Sequence, residues 1–276
     1  MDTELRTYRV PLDGKVSLSE YATDDTGEFG RTAKGREKAE QQGAELKEKI
    51  ADLQERLYAE AKQTLLIVLQ GMDAGGKDGT IKHVMSSVNP QGCDVTSFKV
   101  PSSLEQAHDF LWRVHNAVPP HGFIGIFNRS HYEDVLVTRV HGLVDDDLAK
   151  RRFRQINDFE RMLSENGVTL VKLFLHISRD EQKRRLEARL HDAKKNWKFN
   201  PGDLAERKLW KEYMRMYEDA LEHTNKDGAR WWIVPSDVKW YRNYVVAMIV
   251  ARALKKMDPQ FPPPPAGVDL SSIVIE

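Results

Sequence analysis

Cysteine is nearly absent from this chain of 276 residues, because Cys93 is the only one. A single thiol excludes a disulfide within the chain and is typical of proteins in a reducing compartment. Long hydrophobic runs are absent too. No apolar stretch approaches the roughly 20 residues that a membrane helix needs, and the opening MDTELRTYRV lacks the apolar centre of a signal peptide. We therefore expect a cytoplasmic protein without a membrane partner.

Net charge is also absent, because 42 basic side chains balance 42 acidic ones. This balance gives no reason to expect nucleic acid as a partner, so any anion site must come from a local group of Lys and Arg. The nine histidines show neither HExxH nor paired Cys/His spacing, which disfavours a zinc site. No G-x-S-x-G motif supports a hydrolase. Hydrophobic residues at 40% are ordinary for a globular protein.

The chain contains no internal repeat and no linker rich in Gly, Ser or Pro, so its main divisions lie near its ends. Residues 1–33 are polar and predict an irregular arm, whereas apolar residues spaced near 3.6 in 34–63 predict an amphipathic helix. Together, 1–63 would pack on a main domain, 64–261. Four consecutive prolines, which cannot continue a helix or a central strand, predict a tail over 262–276.

Between these ends, short apolar runs alternate with helical patterns. The apolar runs predict buried strands over 64–70, 94–98, 122–127, 169–177 and 231–234. The helical patterns cover 77–88, 104–118, 145–166, 179–191 and 204–223. This alternation predicts an α/β fold in which helices cover both faces of a parallel five-stranded sheet. Such sheets bind ligands at the carboxyl ends of their strands.

A glycine-rich turn follows the first predicted strand. The segment GMDAGGKDGT, 71–80, fits G-x-x-x-x-G-K and lies between a buried strand and a helix, as a phosphate loop requires. Glycines let successive N–H groups point inward, the helix adds its positive end, and the lysine supplies a mobile charge. We predict a phosphate site formed by Gly71, Ala74, Gly75, Gly76, Lys77, Asp78, Gly79 and Thr80. The alternative is a glycine-rich turn with a solvated lysine.

The loop departs from the standard motif at Asp78, where a Ser or Thr should hold magnesium, and Thr80 lies two residues too late. Asp73, inside the loop, is an additional carboxylate near the predicted phosphates. Because an anion repels bound phosphate unless a cation lies between them, we predict that Asp73 is a Mg²⁺ ligand. Alternatively, Asp73 is a turn residue that bonds its own backbone.

A second polar cluster follows the predicted strand 122–127. P-loop enzymes usually have a magnesium-binding Asp at this place, but here Asn128 occupies it. Arg129 beside a phosphate loop suits a clamp on a transferring phosphoryl group, and Glu133 could position an attacking group or support the metal. Arg139 is a candidate phosphate contact. The alternatives are an ordinary Arg129–Glu133 ion pair at a helix start and a surface position for Arg139.

A basic segment, 185–203, follows the fourth predicted strand and begins on a helix. Kinases of small phosphorylated substrates commonly close a mobile, arginine-bearing lid over the transfer site to exclude water. We predict a helical lid here, whose phosphate-contacting cations would be Arg189, Lys194, Lys195 and Lys198. The alternative is a solvated charged face with ordinary surface pairs, such as Glu181 with Arg185.

Three segments together resemble the family-2 polyphosphate kinases: GMDAGGKDGT (71–80), FNRSHYEDVLVTRV (127–140) and RLEARLHDAKKNWKFNPGD (185–203). The resemblance runs from about Tyr8 to Phe261 and includes SFKVPS, HDFLWRVH and DVKWYRN. It implies a three-layer α/β/α P-loop kinase fold with a helical lid. It also implies magnesium-dependent phosphoryl transfer between inorganic polyphosphate and a nucleotide (AMP, ADP or ATP) in a homo-oligomer, commonly a dimer or tetramer.

Matching positions extend the resemblance to single residues. Asp73 and Lys77 correspond to the essential loop residues of the family, Arg129 to its strand-end arginine and Arg189 to its lid arginine. Many members read D-R-S-x-Y-N where this chain reads NRSHYE, ending at Glu133. The Asn and Glu at these positions resemble the subgroup that phosphorylates both AMP and ADP. An ATP-dependent nucleoside or nucleotide kinase and a P-loop nucleotide-binding regulatory protein are the competing interpretations.

Overall fold

The computed structural model describes residues 2–267, 270 and 273–275, and its centre is a parallel β-sheet. The strands are β1 Thr64–Gln70, β2 Cys93–Ser97, β3 Ile124–Asn128, β4 Val168–His176 and β5 Trp231–Pro235. They pair in the order β2-β3-β1-β4-β5, and all four pairings are parallel. This is the predicted α/β fold with a five-stranded parallel sheet.

Helices cover both faces of this sheet. In the described residues they are α1 Asp2–Leu5, α2 Ala33–Glu60, α3 Lys77–Val84, α4 Ser103–Gln106, α5 Trp112–Asn116, α6 Val137–Val140, α7 Asp146–Glu165, α8 Arg179–His191, α9 Gly202–Lys208, α10 Trp210–Thr224 and α11 Lys239–Met257. On one face α2 packs against α11, and on the other α7 packs against α10. The side chains of Thr32, Asp145 and Ser178 cap α2, α7 and α8 by accepting a backbone N–H bond.

Strand β1 lies at the centre of the sheet because it is apolar on both faces. All seven of its residues are buried, as expected for a strand that helices cover on both sides. It pairs with β3 so that Leu69 lies opposite Asn128, and with β4 so that Gln70 lies opposite Phe174. The register therefore brings the turns that follow β1 and β3 side by side at the carboxyl edge of the sheet.

The N-terminal arm contains only short helical turns before α2, but it is packed more closely than an irregular arm suggests. Leu5, Tyr8, Val10 and Leu18 are buried. The Val10 N–H donates to the Trp231 carbonyl oxygen at 3.0 Å, so the arm runs along the exposed edge of β5 and shields it. Met1 lies outside the described residues, as do 268, 269, 271, 272 and 276 of the predicted tail; the described tail residues form no α-helix or strand.

Two helix predictions need correction, and one helix was not predicted. The predicted helix 104–118 is two short helices, α4 and α5, because the Asp109 carboxylate accepts the Leu111 N–H (3.0 Å) and forms a turn between them. The predicted helix 204–223 is also divided, at Leu209. Helix α11 was missed because it is buried on nearly all sides and so lacks a clear amphipathic pattern. No helix in the described part of the chain is long and apolar enough to span a membrane.

Candidate active site

The turn between β1 and α3 is tight because its glycines adopt conformations that other residues avoid. Gly71 has φ +151°, and Gly76, which precedes α3, has φ +106°. A Cβ at Gly71 would lie 2.8 Å from the Leu175 carbonyl oxygen, and one at Gly76 would lie 1.9 Å from Arg242 Nη1. Both positions therefore need glycine, and the turn leaves the positive end of α3 at the carboxyl edge of the sheet.

Lys77 folds back over this turn. Its Nζ donates to the carbonyl oxygens of Gly71 (2.6 Å) and Met72 (3.3 Å), and the residue is only 8% exposed. An ammonium has three N–H donors, so one remains for a ligand. Burial lowers the pKa of Lys77 from its ordinary value, and the Asp73 carboxylate partly offsets this effect. A phosphate at the loop would favour the charged ammonium in the same way.

Arg185 supports the phosphate loop by bonding its backbone carbonyl oxygens, a role that the sequence analysis did not predict. Its guanidinium donates to the carbonyl oxygens of Ala74 (2.9 Å) and Gly75 (3.0 Å), and also to those of Ser236 and Asp237. In a trans peptide the carbonyl and the N–H point in opposite directions, so this contact turns the N–H that follows Gly75 away from Arg185. The interpretation of Arg185 as a surface residue is wrong, because its side chain is only 9% exposed.

A second guanidinium lies beside it. Arg242 of α11 is 3% exposed, and its Nη1 lies 3.5 Å from the Gly75 carbonyl oxygen. Burial and then the charge of Arg185 lower the pKa of Arg242 to about 10, so it remains charged at neutral pH. Two positive side chains therefore lie directly beneath the phosphate loop and add to its attraction for anions.

Replacing Arg185 by alanine is expected to lower the free energy of unfolding by about 3 kcal/mol, because Glu181 and the loop carbonyls lose a buried, charged donor. Urea unfolding followed by circular dichroism measures the change. Arg184 is the matched control, since it also pairs with Glu181 but its side chain is 73% exposed. Arg184→Ala should change stability by less than about 0.5 kcal/mol. Equal losses in the two variants would contradict the supporting role of Arg185.

The turn after β3 brings three predicted site residues together. Arg129 has φ +64°, a left-handed conformation that costs a non-glycine residue about 1–2 kcal/mol. Its N–H donates to the Leu69 carbonyl oxygen at 3.0 Å, which fixes the turn against β1. Its Nη2 donates to Asp73 Oδ1 at 2.6 Å, and its Nη1 lies 3.9 Å from Glu133 Oε2. The strand-end arginine is thus in direct contact with the phosphate loop.

Asn128 makes a second connection between the two turns. Its Nδ2 donates to Asp78 Oδ1 at 2.8 Å, and Lys198 Nζ lies 3.9 Å from the other Asp78 oxygen. Through these two contacts, the exposed Asp78 connects the phosphate loop with the strand end and the basic segment. The neighbouring Gly79 is exposed, whereas Thr80 is buried and its hydroxyl has no partner among the described residues. A phosphate contact by Thr80 remains a prediction.

A cleft of about 310 Å³ opens between these turns and the start of α9. Its lining includes Asp73, Arg129, Glu133, Asp203 and Tyr213. Burial raises the pKa of Glu133, although Arg129 and then the nearby lysine of the loop partly counteract it. Burial, followed by the charge of Asp73, raises the pKa of Asp203. The cleft thus contains several carboxylates whose charge is costly unless a cation accompanies them.

The basic segment joins some of its cations to residues of the cleft or the phosphate loop and leaves others exposed. Arg189 Nη1 donates to Asp203 Oδ2 at 3.0 Å, and its side chain is 22% exposed. Lys198 Nζ lies near the carboxylate of Asp78 in the phosphate loop. In contrast, Lys194 and Lys195 are exposed and do not line the cleft, and Lys195 pairs with the nearby Asp192. The structure therefore does not bring Lys194 or Lys195 into the cleft.

Arg139 has a different role from the predicted phosphate contact. Its Nη2 donates to Asp146 Oδ1 (2.7 Å) and Asp219 Oδ2 (2.8 Å), and its guanidinium lies 5.8 Å from the centre of the Phe153 ring. The hydrogen bond from Arg139 lowers the pKa of Asp146. Arg139 thus joins α6 to α7 and α10, and it was misassigned because the sequence does not show these long-range partners.

The donor set suits a magnesium ion that arrives with a substrate. Among the described residues, no group of three or more His, Cys, Asp or Glu could hold a metal ion by itself. Asp73 borders the cleft, and only its Oδ1 is bonded by Arg129. Mg²⁺ is usually held by one or two carboxylates together with waters and substrate phosphates. Asp73, a carboxylate within the phosphate loop and at the edge of the cleft, meets that requirement.

Comparisons with known proteins agree with this geometry. The family model described as Polyphosphate kinase 2 (PPK2) matches residues 33–262. An AMP/ADP-polyphosphate phosphotransferase of Meiothermus ruber is 47% identical over 99% of this chain and 100% of its own length. An ADP-polyphosphate phosphotransferase of Rhodopseudomonas palustris is 43% identical over 78% of each chain.

A solved structure extends the agreement to three dimensions. The crystal structure of Polyphosphate Kinase 2 from Arthrobacter aurescens superposes with a TM-score of 0.90 at 41% identity, covering 96% of this chain and 93% of that one. The match covers nearly the whole chain and shows that the two proteins share one fold. This chain therefore belongs to the polyphosphate kinase 2 family.

Proposed function

We propose that this chain transfers a phosphoryl group from inorganic polyphosphate to AMP and ADP. The observation that carries the proposal is the 2.6 Å contact between Arg129 and Asp73, which joins the strand-end arginine to the phosphate loop at one cleft. The activities for which the Meiothermus and Rhodopseudomonas relatives are named support the choice of donor and acceptors. A homo-oligomeric assembly, as a dimer or tetramer, remains a prediction from the resemblance.

In this proposal the phosphate loop binds the end of the polyphosphate chain. The backbone N–H groups before α3 and the remaining N–H of Lys77 face the anion, while Arg185 and Arg242 add positive charge from behind. Phosphoryl transfer needs little covalent help from the protein, so positioning and charge neutralisation dominate. The loop supplies the positioning of the donor.

Arg129 neutralises the charge that builds up on the transferring group. Its guanidinium lies between Asp73 and Glu133, so it is held in place before the substrate binds and needs little rearrangement. A magnesium ion held by Asp73 would supply further charge neutralisation between the phosphates. Glu133 orients Arg129 and faces the acceptor. Arg189 of α8 bonds Asp203, which lines the cleft, and from this position it would close over the transferring group.

Long-chain polyphosphate and AMP, incubated without ATP, test this function. We expect ADP and then ATP to appear, as separated by chromatography, and a chelator such as EDTA to abolish both products. Product only when ATP is supplied as the donor would instead show an ATP-dependent kinase. Nucleotide binding with no product from any donor would show a regulatory P-loop protein. Rates should fall steeply with added salt, because the donor is a polyanion.

Replacing Glu133 by asparagine, together with Asn128→Asp, should shift the acceptor preference from AMP toward ADP. The substitutions restore the D-R-S-x-Y-N pattern of other family members and remove the partly buried carboxylate that would face the acceptor in the cleft. We expect the ratio of kcat/KM for AMP to that for ADP to fall by about tenfold. Initial rates with each nucleotide at saturating polyphosphate measure it. An unchanged ratio would show that these two positions do not determine the acceptor.

A further inference from the structure

A buried group of charged and hydroxyl side chains lies beneath the strand-end turn. His131 and Tyr132 of the turn meet Glu160 of α7 and Lys172 of β4, and each of these four residues is at most 1% exposed. None of them lines the cleft. Burying a charge is unfavourable unless it is paired and hydrogen-bonded, so a buried group of this kind needs an explanation.

The hydrogen bonds in this group form a closed ring. Glu160 Oε2 accepts from Lys172 Nζ at 2.7 Å, and Glu160 Oε1 accepts from the Tyr132 hydroxyl at 2.7 Å. Lys172 Nζ also donates to the Tyr132 hydroxyl (3.0 Å) and to the Thr224 carbonyl oxygen (2.7 Å). Both carboxylate oxygens and all three ammonium N–H groups are therefore used. The Tyr132 hydroxyl is both donor and acceptor, which fixes the direction of its side chain.

The same turn begins with Arg129, whose backbone has the left-handed conformation. Between Arg129 and Tyr132, Ser130 is fully buried, and its Oγ accepts from the Tyr132 N–H (3.2 Å) and from Gln70 Nε2 (3.2 Å). An unfavourable backbone conformation persists only where the surroundings hold it, and here Leu69 of β1 and the buried residues that follow Arg129 both do so. Tyr132 anchors the turn from below, and Glu133 follows Tyr132 directly into the cleft.

We propose that Tyr132, held by Glu160 and Lys172, is a positioning residue for phosphoryl transfer. Its hydroxyl fixes the turn so that the Arg129 guanidinium is aimed at the transferring group. Directional hydrogen bonds specify one orientation of the turn, whereas apolar packing alone would tolerate several. The inference rests on the proposed function, because it assigns Tyr132 an effect that is exerted through Arg129.

Tyr132→Phe tests the inference, since it removes the hydroxyl and keeps the ring that packs 4.7 Å from Trp231. With polyphosphate and AMP, kcat should fall about tenfold while both KM values change less than about twofold, because the loss is felt in the transition state. Tyr244→Phe is the matched control. It removes another hydroxyl of a buried tyrosine, bonded to Gln42 at 3.0 Å on the other face of the sheet, and should leave kcat unchanged.

A double-mutant cycle separates positioning from a merely structural role. In an Arg129→Ala background, Tyr132→Phe should lower kcat by less than about twofold, because the residue through which it acts is already gone. Equal losses in both backgrounds, or a loss no larger than that of Tyr244→Phe, would overturn the inference. Wild-type protein without polyphosphate-dependent activity would instead overturn the proposed function.

A second variant examines the charges themselves. Replacing both members of the ion pair, as Glu160→Leu with Lys172→Met, removes the two charges together, so that neither Glu160 nor Lys172 is left as a buried charge without its partner. We expect a folded protein by thermal unfolding, yet with kcat lowered about as much as by Tyr132→Phe. Wild-type kcat in this double variant would show that Tyr132 does not need its charged partners.

Discussion

Lys77→Ala is expected to lower kcat/KM for polyphosphate by about a thousandfold, the upper range for removing a preorganised charged donor from a transition state. The structure explains why the effect should be large. The Lys77 ammonium is held against two loop carbonyls with one N–H remaining, so its charge is in position before the substrate arrives. Initial rates of ADP formation from AMP, over a range of polyphosphate concentrations, measure the change.

Lys82 provides a matched control for this experiment. It lies on the same helix, α3, but is exposed to solvent, and among the described residues no hydrogen bond or ion pair joins it to the loop. Lys82→Ala should keep kcat/KM within about twofold of the wild-type value, while thermal unfolding confirms that both variants are folded. Near-normal turnover in Lys77→Ala would show that the glycine-rich turn is not the phosphate site.

Arg129→Ala is expected to lower kcat by about 10²–10³ with little change in the KM for either substrate. This pattern follows if the guanidinium acts mainly on charge that develops during transfer. Removing it also leaves Asp73 without the 2.6 Å partner that orients it. Saturating both substrates separates the loss in kcat from any loss in binding.

Arg129→Lys makes the test sharper. Lysine keeps the positive charge but cannot contact Asp73 and Glu133 with one planar fork, so we expect it to recover less than about a tenth of the lost activity. Arg161→Ala, at a position whose side chain is 65% exposed on α7, is the surface control. Full activity in Arg129→Lys would mean that charge alone matters and that the geometry described here is not required.

Local signals explain what could be predicted from the sequence. The phosphate loop could be predicted from its own residues, since a buried apolar strand, spaced glycines and Lys77 lie within one short segment. Strand β1 was predicted with the bounds that the structure shows. Arg129 was expected beside the phosphate loop because parallel strands end at one edge of a sheet. Its contact with Asp73 was not predicted, since it depends on the register of β1 with β3.

Long-range contacts explain what could not be predicted. Arg185 was interpreted as a surface residue because its i−4 partner Glu181 is visible in the sequence, whereas its carbonyl partners lie far away along the chain. Arg139 was predicted as a phosphate contact because the sequence does not show its partner Asp219, which lies 80 residues further along the chain. The sequence also does not predict the buried pairing of Glu160 with Lys172, since each residue alone resembles an ordinary charged surface side chain.

In the proposed mechanism, the turn between β1 and α3 holds the end of the polyphosphate chain opposite Arg129. A crystal structure with tripolyphosphate and Mg²⁺ tests it most directly. We expect a terminal phosphate within hydrogen-bonding distance of both Lys77 Nζ and the Arg129 guanidinium, with Asp73 beside the metal ion. An empty turn, with tripolyphosphate bound elsewhere on the protein, would contradict it.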